Sequence, residues 1–282
     1  MKELLLEVAE RSCVGARSGN EDCLAVACER GRHWCLVLSD GAGGHGDGAL
    51  AAQLVVARVI AGFRSRPPVD GQDLAELLLD AHDALVAAQK ERPAVSSAAA
   101  MHATVVALVI DALQGVALWG HVGDSRLYQW RGGRLNAVTR DDSVLQWVLD
   151  TGLVDPARAD TVPNRSVLLA ALGTAEEVTP HVSEPFALER SDAFLLCSDG
   201  WWDGLEPQAI GAMLADASSP EAWLEAMSAA TLARGDPRQD NYSAIACWVV
   251  DALRATEAEP AAEPLSAAET WPPRARDTVP PR

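Results

Sequence analysis

The sequence is poor in positive charge. It holds 23 Lys and Arg against 40 Asp and Glu, which leaves a formal net charge of −17 over 282 residues. Because contacts to nucleic-acid phosphates need clustered Lys and Arg, this deficit argues against a nucleic-acid partner. It does not argue against a phosphorylated substrate, since bound cations would reverse the local field. We therefore expect most acidic residues on the solvated surface and a minority of them as metal ligands.

The sequence also lacks paired cysteines and long apolar runs. None of its six cysteines forms a Cys-x-x-Cys pair, which disfavours a zinc knuckle. Cys35, Cys197 and Cys247 lie in apolar runs and are predicted to be small buried residues. No run approaches the roughly 18 apolar residues of a membrane span, and acidic residues interrupt the N-terminal apolar patch, unlike a signal peptide. These absences predict a cytoplasmic protein with reduced thiols and no membrane partner.

Short apolar runs rich in Val, Leu, Ile and Trp are present instead. Because they are continuous and not alternating, they are typical of strands covered on both faces. Residues 111–114 and the Arg-Gly-Gly at 131–133 have the composition of hairpin links. The predicted strands are 34–39, 104–110, 115–122, 193–198 and 243–250, with a further hairpin at 125–139.

Segments with the 3.6-residue apolar period lie between these strands. They predict helices at 49–63, 73–92, 143–152, 206–217 and 220–233. Hairpins mixed with separate helices, without a regular βαβ alternation, indicate an α+β fold. Near residue 254 the composition changes to Pro, Ala and Glu. We therefore predict a folded domain over 1–252 and a disordered tail over 253–282.

Acidic residues follow several of the predicted strands. An Asp-Gly pair is most often a turn, and each of these positions alone would be interpreted as a turn or a cap. The sequence apolar-Ser-Asp-Gly, however, occurs twice, at Asp40 and at Asp199. The full set of candidate positions is Glu21, Asp22, Asp40, Asp124, Asp199 and Asp240.

Carboxylates that converge at strand ends repel one another unless positive charge lies between them. Mg²⁺ and Mn²⁺ prefer oxygen ligands from carboxylates, backbone carbonyls and water. A glycine after the aspartate, such as Gly41, lets the backbone carbonyl approach an ion because no Cβ is in the way. The sequence thus predicts a metal centre in which Asp40 bridges two ions and Gly41 adds its carbonyl.

Ordered motifs extend over residues 8–250. They include RSGNEDCLAV (17–26), LVLSDGAGGHGDG (36–48), GHVGDSRLYQWRGGRL (120–135), LLCSDGWWDGL (195–205) and DNYSAIACWV (240–249). Their order and wording resemble those of the metal-dependent protein serine/threonine phosphatases of the 2C type, in their compact bacterial form. The resemblance implies a β-sandwich of two mainly antiparallel sheets flanked by helices, in α-β-β-α layers.

The resemblance also implies a role for each acidic residue. Asp40 is similar to the bridging aspartate, and Asp199 and Asp240 to further ligands of the first ion. Glu21 and Asp22 match acids that hold the water shell of the second ion. By the same resemblance, Asp124 is a ligand of a weaker third ion, and Gly41 is a carbonyl ligand.

Arg17 is similar to the arginine that holds the substrate phosphate, since a guanidinium fits phosphate oxygens bidentately. Without the motif, Arg17 would be interpreted as an ordinary surface arginine. The implied reaction is attack of a metal-bridging water on a phosphoserine or phosphothreonine, with Mn²⁺ or Mg²⁺ as cofactor.

The chain departs from the family pattern at a few positions. Ala42 replaces the usual Met and supplies no proton, and His45 is either a proton donor or a structural or solvent-facing residue. Asp142 replaces the usual His at the start of the flap, which we define as residues 140–185 and where substrate choice is expected to lie. None of these changes removes an expected metal ligand, so we predict an active enzyme.

Three functional classes remain open at this point. The leading hypothesis is a monomeric phosphatase that opposes a cytoplasmic bacterial Ser/Thr kinase and acts on a phosphorylated protein. A regulatory module that keeps the fold and acts by binding partners is the alternative, although such a module would be expected to lose Asp40, Asp199 or Asp240. A nuclease is disfavoured by the net charge.

Overall fold

The structure, a computed structural model, describes residues 4–42, 47–91 and 101–251. Within these ranges the strands are β1 (Leu4–Cys13), β2 (Asp22–Glu29), β3 (His33–Ala42), β4 (His102–Ala103), β5 (Val105–Asp111), β6 (Val116–Val122), β7 (Arg126–Arg131), β8 (Arg134–Val138), β9 (His181–Val182), β10 (Phe186–Ala187), β11 (Ala193–Cys197) and β12 (Tyr242–Asp251). The α-helices are α1 (Asp47–Ser65), α2 (Gly71–Lys90), α3 (Val144–Asp150), α4 (Asp199–Trp202), α5 (Pro207–Asp216) and α6 (Pro220–Ala233), and Pro156–Thr161 forms a 3-10 helix.

Two antiparallel sheets form the centre of the fold. The first has the strand order β1-β12-β11-β7-β8. The second has the order β10-β6-β5-β3-β2, with β4 paired to β3 and β9 paired to β6. The pairing of β1 with β12 joins the two ends of the described chain, from Leu4 opposite Asp251 to Cys13 opposite Tyr242.

Three apolar clusters separate four layers. One, which includes Leu108, Phe194 and Ile245, lies between the two sheets. Another joins the second sheet to α1 and α2. The third joins the first sheet to α4, α5 and α6, where the buried rings of Trp130 and Trp223 meet edge to face. The predicted α-β-β-α sandwich is therefore confirmed.

Both predicted hairpins are present, and the local chemistry explains them. The side chain of Asp111 accepts the backbone N–H groups of Leu113 and Gln114, which closes the link between β5 and β6. Gly132 and Gly133 both adopt positive φ, at 56° and 75°, in the link between β7 and β8. Because residues with a Cβ rarely adopt such angles, these glycines fix the place of the turn.

Other elements differ from the prediction. Strand β3 does not end before Asp40 but continues through Gly41 to Ala42, because Gly41 and Ala42 pair with β4. The short helix α4, which begins at Asp199, was not predicted, and neither was β1. The strand β1 begins with three leucines and then carries Glu7 and Glu10, so it has no regular alternation, and its partner β12 comes from the far end of the domain.

Helix α1 is the one helix in the described ranges that is long and apolar enough to cross a membrane by length and composition. It packs against β3, β2 and α2, and its side chains Val55, Val59 and Phe63 are fully buried. This packing is that of a core helix in a layered domain. The predictions for His45 and for the tail at 253–282 fall outside the described residues.

Candidate active site

A cavity of about 650 Å³ lies at one end of the sandwich. Seven of the eight predicted site residues line it, namely Arg17, Glu21, Asp40, Gly41, Asp124, Asp199 and Asp240. The eighth, Asp22, lies directly beside Asp40, because the two residues are register partners on β2 and β3. The structure therefore brings together side chains that are spread over more than two hundred residues of sequence.

Thr104 holds Asp40 in place. The backbone N–H of Asp40 donates to Thr104 Oγ1 at 2.9 Å, and the backbone N–H of Thr104 donates to the Asp40 carbonyl at 2.8 Å. Thr104 Oγ1 also lies 2.7 Å from Ser125 Oγ, next to Asp124. The hydroxyl of Thr104, the residue just before β5, thus connects the Asp40 backbone with the turn that carries Asp124.

Asp22 is held through only one of its carboxylate oxygens. Ser198 Oγ donates to Asp22 Oδ2 at 2.8 Å, and the Ser243 N–H donates to Ser198 Oγ. Asp22 Oδ1 is buried and has no hydrogen-bond partner. An unpartnered buried carboxylate oxygen is costly unless a cation or water contacts it. This oxygen therefore suits the predicted role of Asp22 in holding the water shell of an ion.

Asn241 fastens the loop that carries Arg17 and Glu21. Its Oδ1 accepts the backbone N–H of Glu21 at 2.8 Å, while its Nδ2 donates to the carbonyls of Val14 and Gly19. Arg17 reaches across the cavity mouth and donates to Asp240 Oδ2 at 2.5 Å. Since the Arg17 side chain is 58% exposed, its guanidinium stays open to an incoming anion.

Asp124 is positioned by an aromatic and ionic cluster on the first sheet. Trp202 Nε1 donates to the Asp124 carbonyl at 2.9 Å, and the Arg126 guanidinium lies 3.6 Å from the centre of the Trp202 ring. Arg126 in turn makes a bidentate ion pair with buried Asp141. Burial, with a further contribution from the charge of Asp141, raises the pKa of Asp124 to about 7.

The carboxylates of the cavity repel one another. Burial raises the pKa of Asp40 well above its ordinary value, and the charges of Asp199, Asp22 and Asp124 raise it further. Burial and the nearby carboxylates also raise the pKa of Asp199 to about 8. Carboxylates that hinder each other's ionisation in this way attract positive charge strongly.

The donor set fits hard divalent cations. Among the described residues, no three His, Cys, Asp or Glu side chains are already arranged to hold a metal ion between them. An ion in this cavity would therefore combine a few carboxylates with backbone carbonyls and water, which is typical of Mg²⁺ and Mn²⁺. The oxygen-rich lining, the free Asp22 Oδ1 and the carbonyl of Gly41 suit such a centre.

Several residues that support the site were not predicted as site residues. Ser198 and Asn241 lie inside the quoted motifs, and Thr104 begins the predicted strand at 104–110, but none of the three carries a charge that would draw attention to it. The only feature of the sequence that pointed to Ser198 and Asn241 as supporting residues was that they directly flank Asp199 and Asp240. Their role depends on hydrogen bonds to residues far away in sequence.

Clustered carboxylates that suit divalent cations, beside an accessible arginine that suits a phosphate, have the chemistry of a metal-dependent hydrolase of phosphate esters. The comparison with known proteins gives the family. The Protein phosphatase 2C profile matches residues 10–240. The chain belongs to the protein phosphatase 2C family.

The chain is similar to individual members from bacteria. It is 32% identical to the serine/threonine protein phosphatase PstP of Mycobacterium tuberculosis over 249 residues, which is 88% of this chain and 46% of PstP. It is 25% identical to the protein phosphatase PhpP of Streptococcus pneumoniae, over 70% of this chain and 77% of PhpP. The chain thus spans less than half the length of PstP.

A solved structure shows the same fold. The catalytic domain of PstP, crystallised in complex with two manganese ions, superposes with a TM-score of 0.74 at 29% identity. The superposition covers 88% of this chain and all of that domain.

Proposed function

We propose that the chain is a metal-dependent protein phosphatase that hydrolyses phosphoserine and phosphothreonine. The observation that carries the proposal is the convergence of Asp40, Asp199 and Asp240 on one cavity that also presents Arg17. A catalytically weak regulatory module would not need this set, and its carboxylates would repel one another to no purpose.

Each residue has a role in this proposal. Asp40, Asp199, Asp240 and the Gly41 carbonyl would hold Mn²⁺ or Mg²⁺, while Glu21 and Asp22 would hold the water around a second ion. Asp124 would serve a weaker third ion. When bound, such ions lower the pKa of a water and neutralise charge on phosphoryl oxygens.

The substrate phosphate would be bound by Arg17 at the cavity mouth. Its guanidinium offers two parallel N–H donors that match two phosphoryl oxygens, and it neutralises charge that develops on them during the transfer. Because Arg17 and Asp40 line one cavity, a phosphate bound by Arg17 would lie in the same cavity as Asp40.

We infer that the substrate is a phosphorylated protein and that the enzyme opposes a Ser/Thr kinase, as a cytoplasmic monomer. The names of PstP and PhpP, both protein phosphatases, support the substrate class. The net charge of −17 supports the expectation that nucleic acids are not substrates.

The test is hydrolysis of a phosphothreonine peptide and of an aryl phosphate by the full chain. We expect turnover with Mn²⁺ or Mg²⁺ and its loss in EDTA. Asp40→Asn is expected to lose more than about 100-fold in kcat/KM, because even outer-shell partners of a metal contribute 10–100-fold.

Asp80→Asn is the matched control. Asp80 pairs with Arg58 on the exposed surface of the helical layer, and neither residue lines the cavity. This variant is expected to keep wild-type rates. Absence of turnover with either metal, or full activity in Asp40→Asn, would overturn the proposal.

A further inference from the structure

Asp142, which replaces the usual His of the family, bonds to the turn that carries Asp124. The backbone N–H of Asp142 donates to the Gly123 carbonyl at 3.0 Å, and the Gly123 N–H donates to Asp142 Oδ2 at 2.9 Å. Asp142 therefore holds both polar groups of the residue that precedes Asp124.

Gly123 needs this support because its conformation is unusual. Its φ is +97°, and a Cβ at this position would lie 2.7 Å from Thr104 Cγ2. Glycine loses more conformational freedom on folding than any other residue, so external hydrogen bonds must fix it. The orientation of Asp124 depends directly on how firmly this glycine is held.

The other carboxylate oxygen of Asp142 binds the far end of the flap. His181 Nε2 lies 2.8 Å from Asp142 Oδ1, and His181 begins β9. The carbonyl of Asp142 also accepts the N–H of Leu169 at 2.7 Å. The neighbouring Leu168 lines the carboxylate cavity. One residue thus connects the start of the flap, its middle and its end.

The ring of His181 packs against the ring of His121. The two imidazoles are stacked, with centroids 5.0 Å apart and planes 22° apart. Only 1% of His121 is exposed, and burial lowers its pKa to about 4. His121 is therefore neutral near pH 7 and gives His181 a flat, uncharged surface on which to lie.

We propose that Asp142 is a positioning residue, which with His181 couples the flap to the turn that presents Asp124 to the cavity. The inference rests on the proposed function for its kinetic consequences. Asp142 itself does not line the cavity, and it acts through Gly123 on one side and Leu169 on the other.

Two side chains hold the turn at Gly123–Asp124, one from each side, and we expect the turn to become more mobile when either hydrogen bond is removed. Trp202 Nε1 holds the carbonyl of Asp124, while Asp142 holds the backbone of Gly123. Without the Asp142 carboxylate, the partly buried Gly123 N–H has no acceptor. An unsatisfied buried donor weakens the local structure, so this turn would open more often.

The first test is backbone hydrogen exchange of the full-length chain in EDTA, which needs no catalysis. In Asp142→Ala we expect exchange at Gly123–Asp124 and at Leu168–Leu169 to be about 10-fold faster. Asp80→Asn should leave both segments unchanged. Unchanged exchange at both segments in a folded Asp142→Ala protein would overturn the proposal, whatever the enzyme's activity.

The second test uses His181, whose side chain is 55% exposed. His181→Ala should accelerate exchange at the same two segments, and His181→Gln, which keeps an N–H donor, should restore protection. Equal exchange in the Ala and Gln variants would contradict a role for this hydrogen bond.

The kinetic test separates positioning from general destabilisation. For Asp142→Ala we expect the Mn²⁺ concentration that gives half-maximal activity to rise about 10-fold, since Asp124 is a predicted ligand. The KM for the aryl phosphate should stay unchanged, because Arg17 is not touched. A fall in activity that Mn²⁺ does not restore would count against the proposal.

Discussion

At the scale of single residues, burial and mutual repulsion decide the chemistry of the cavity. Asp199 illustrates this, because burial and the charges of Asp124 and Asp240 raise its pKa to about 8. A cation beside this carboxylate would favour its ionised form and relieve the repulsion from the neighbouring carboxylates. The same reasoning applies to Asp124, whose pKa is raised to about 7.

The raised pKa of Asp199 predicts how stability depends on pH in EDTA. Its pKa is near 3.8 when unfolded and about 8 when folded, so the folded state retains the proton longer. Its stabilisation is therefore complete below 3.8 and is lost as the pH rises through 8. We expect the Tm in EDTA to fall between pH 6.5 and 9, a window in which His121 is already neutral.

Two controls accompany that measurement. Asp199→Asn should flatten the fall, because the neutral amide does not titrate. Added Mn²⁺ should raise the Tm more at pH 8 than at pH 6.5, since a cation binds the ionised form. A Tm that is constant or rises with pH in EDTA would show that the carboxylates do not repel one another as inferred.

Arg17 is the residue whose replacement tests phosphate binding. Hydrogen bonds to charged groups contribute about 1.5–3 kcal/mol, so Arg17→Ala should lower kcat/KM about 10- to 100-fold. Arg17→Lys should recover part of the loss, because it keeps the charge without the bidentate geometry. The measurement is steady-state kinetics with a phosphothreonine peptide.

Arg58→Ala is the control for Arg17, since Arg58 is an exposed arginine paired with Asp80 away from the cavity. Its kcat/KM should match that of the unmodified chain. If the kcat/KM of Arg17→Ala also equals that of the unmodified chain, Arg17 does not bind the substrate phosphate.

At the scale of the elements, close backbone packing explains why position 41 is a glycine, and a turn does not. Gly41 lies within β3 and pairs with Ala103. A Cβ on Gly41 would lie 1.9 Å from the carbonyl oxygen of Gly48, in the first turn of α1. The glycine therefore lets the helix approach the strand that carries Asp40.

Gly41→Ala is accordingly expected to displace the start of α1. Overpacking a filled site destabilises by about 1–3 kcal/mol, and contact with backbone places this site at the upper end. Urea unfolding measures the loss, and activity should fall with it. Gly19→Ala is the control, since a Cβ there meets no atom within 4 Å, and its stability should be unchanged.

The sequence predicted the elements that carry a strong local signal. The helices α1, α2 and α6 have a clear apolar period, and β5 and β11 are continuous apolar runs. By contrast, β9 and β10 have two residues each, and they exist only because β6 offers a free edge to pair with. No local pattern of two residues can predict such pairing.

At the scale of the whole molecule, the pairing of β1 with β12 closes the domain. Ten register pairs, from Leu4–Asp251 to Cys13–Tyr242, join the two ends of the described chain. The sequence beyond this strand is rich in Pro, Ala and Glu, a composition that does not provide a core. The predicted domain boundary at residue 252 stays a prediction.

Removal of residues 253–282 tests that boundary. We expect the shortened chain to keep its Tm within about 2 °C, because changes outside a core are usually within 0.5 kcal/mol. Its kcat/KM for the aryl phosphate should also be unchanged. A fall in Tm of more than about 5 °C would show that the tail packs against the domain.

The sequence by itself determined the residue types of the site, because carboxylates, a glycine and an arginine in ordered motifs are visible without a structure. Its apolar runs and helical periods also indicated the α+β class, and the family resemblance implied the two-sheet sandwich. Only the tertiary structure decided how the site is supported, as with Thr104 beneath Asp40, Asn241 on the loop of Arg17, and Asp142 with His181. Each of these contacts joins residues far apart in the chain, and a hydrogen bond at that separation depends on strand register and layer packing, which no local pattern encodes.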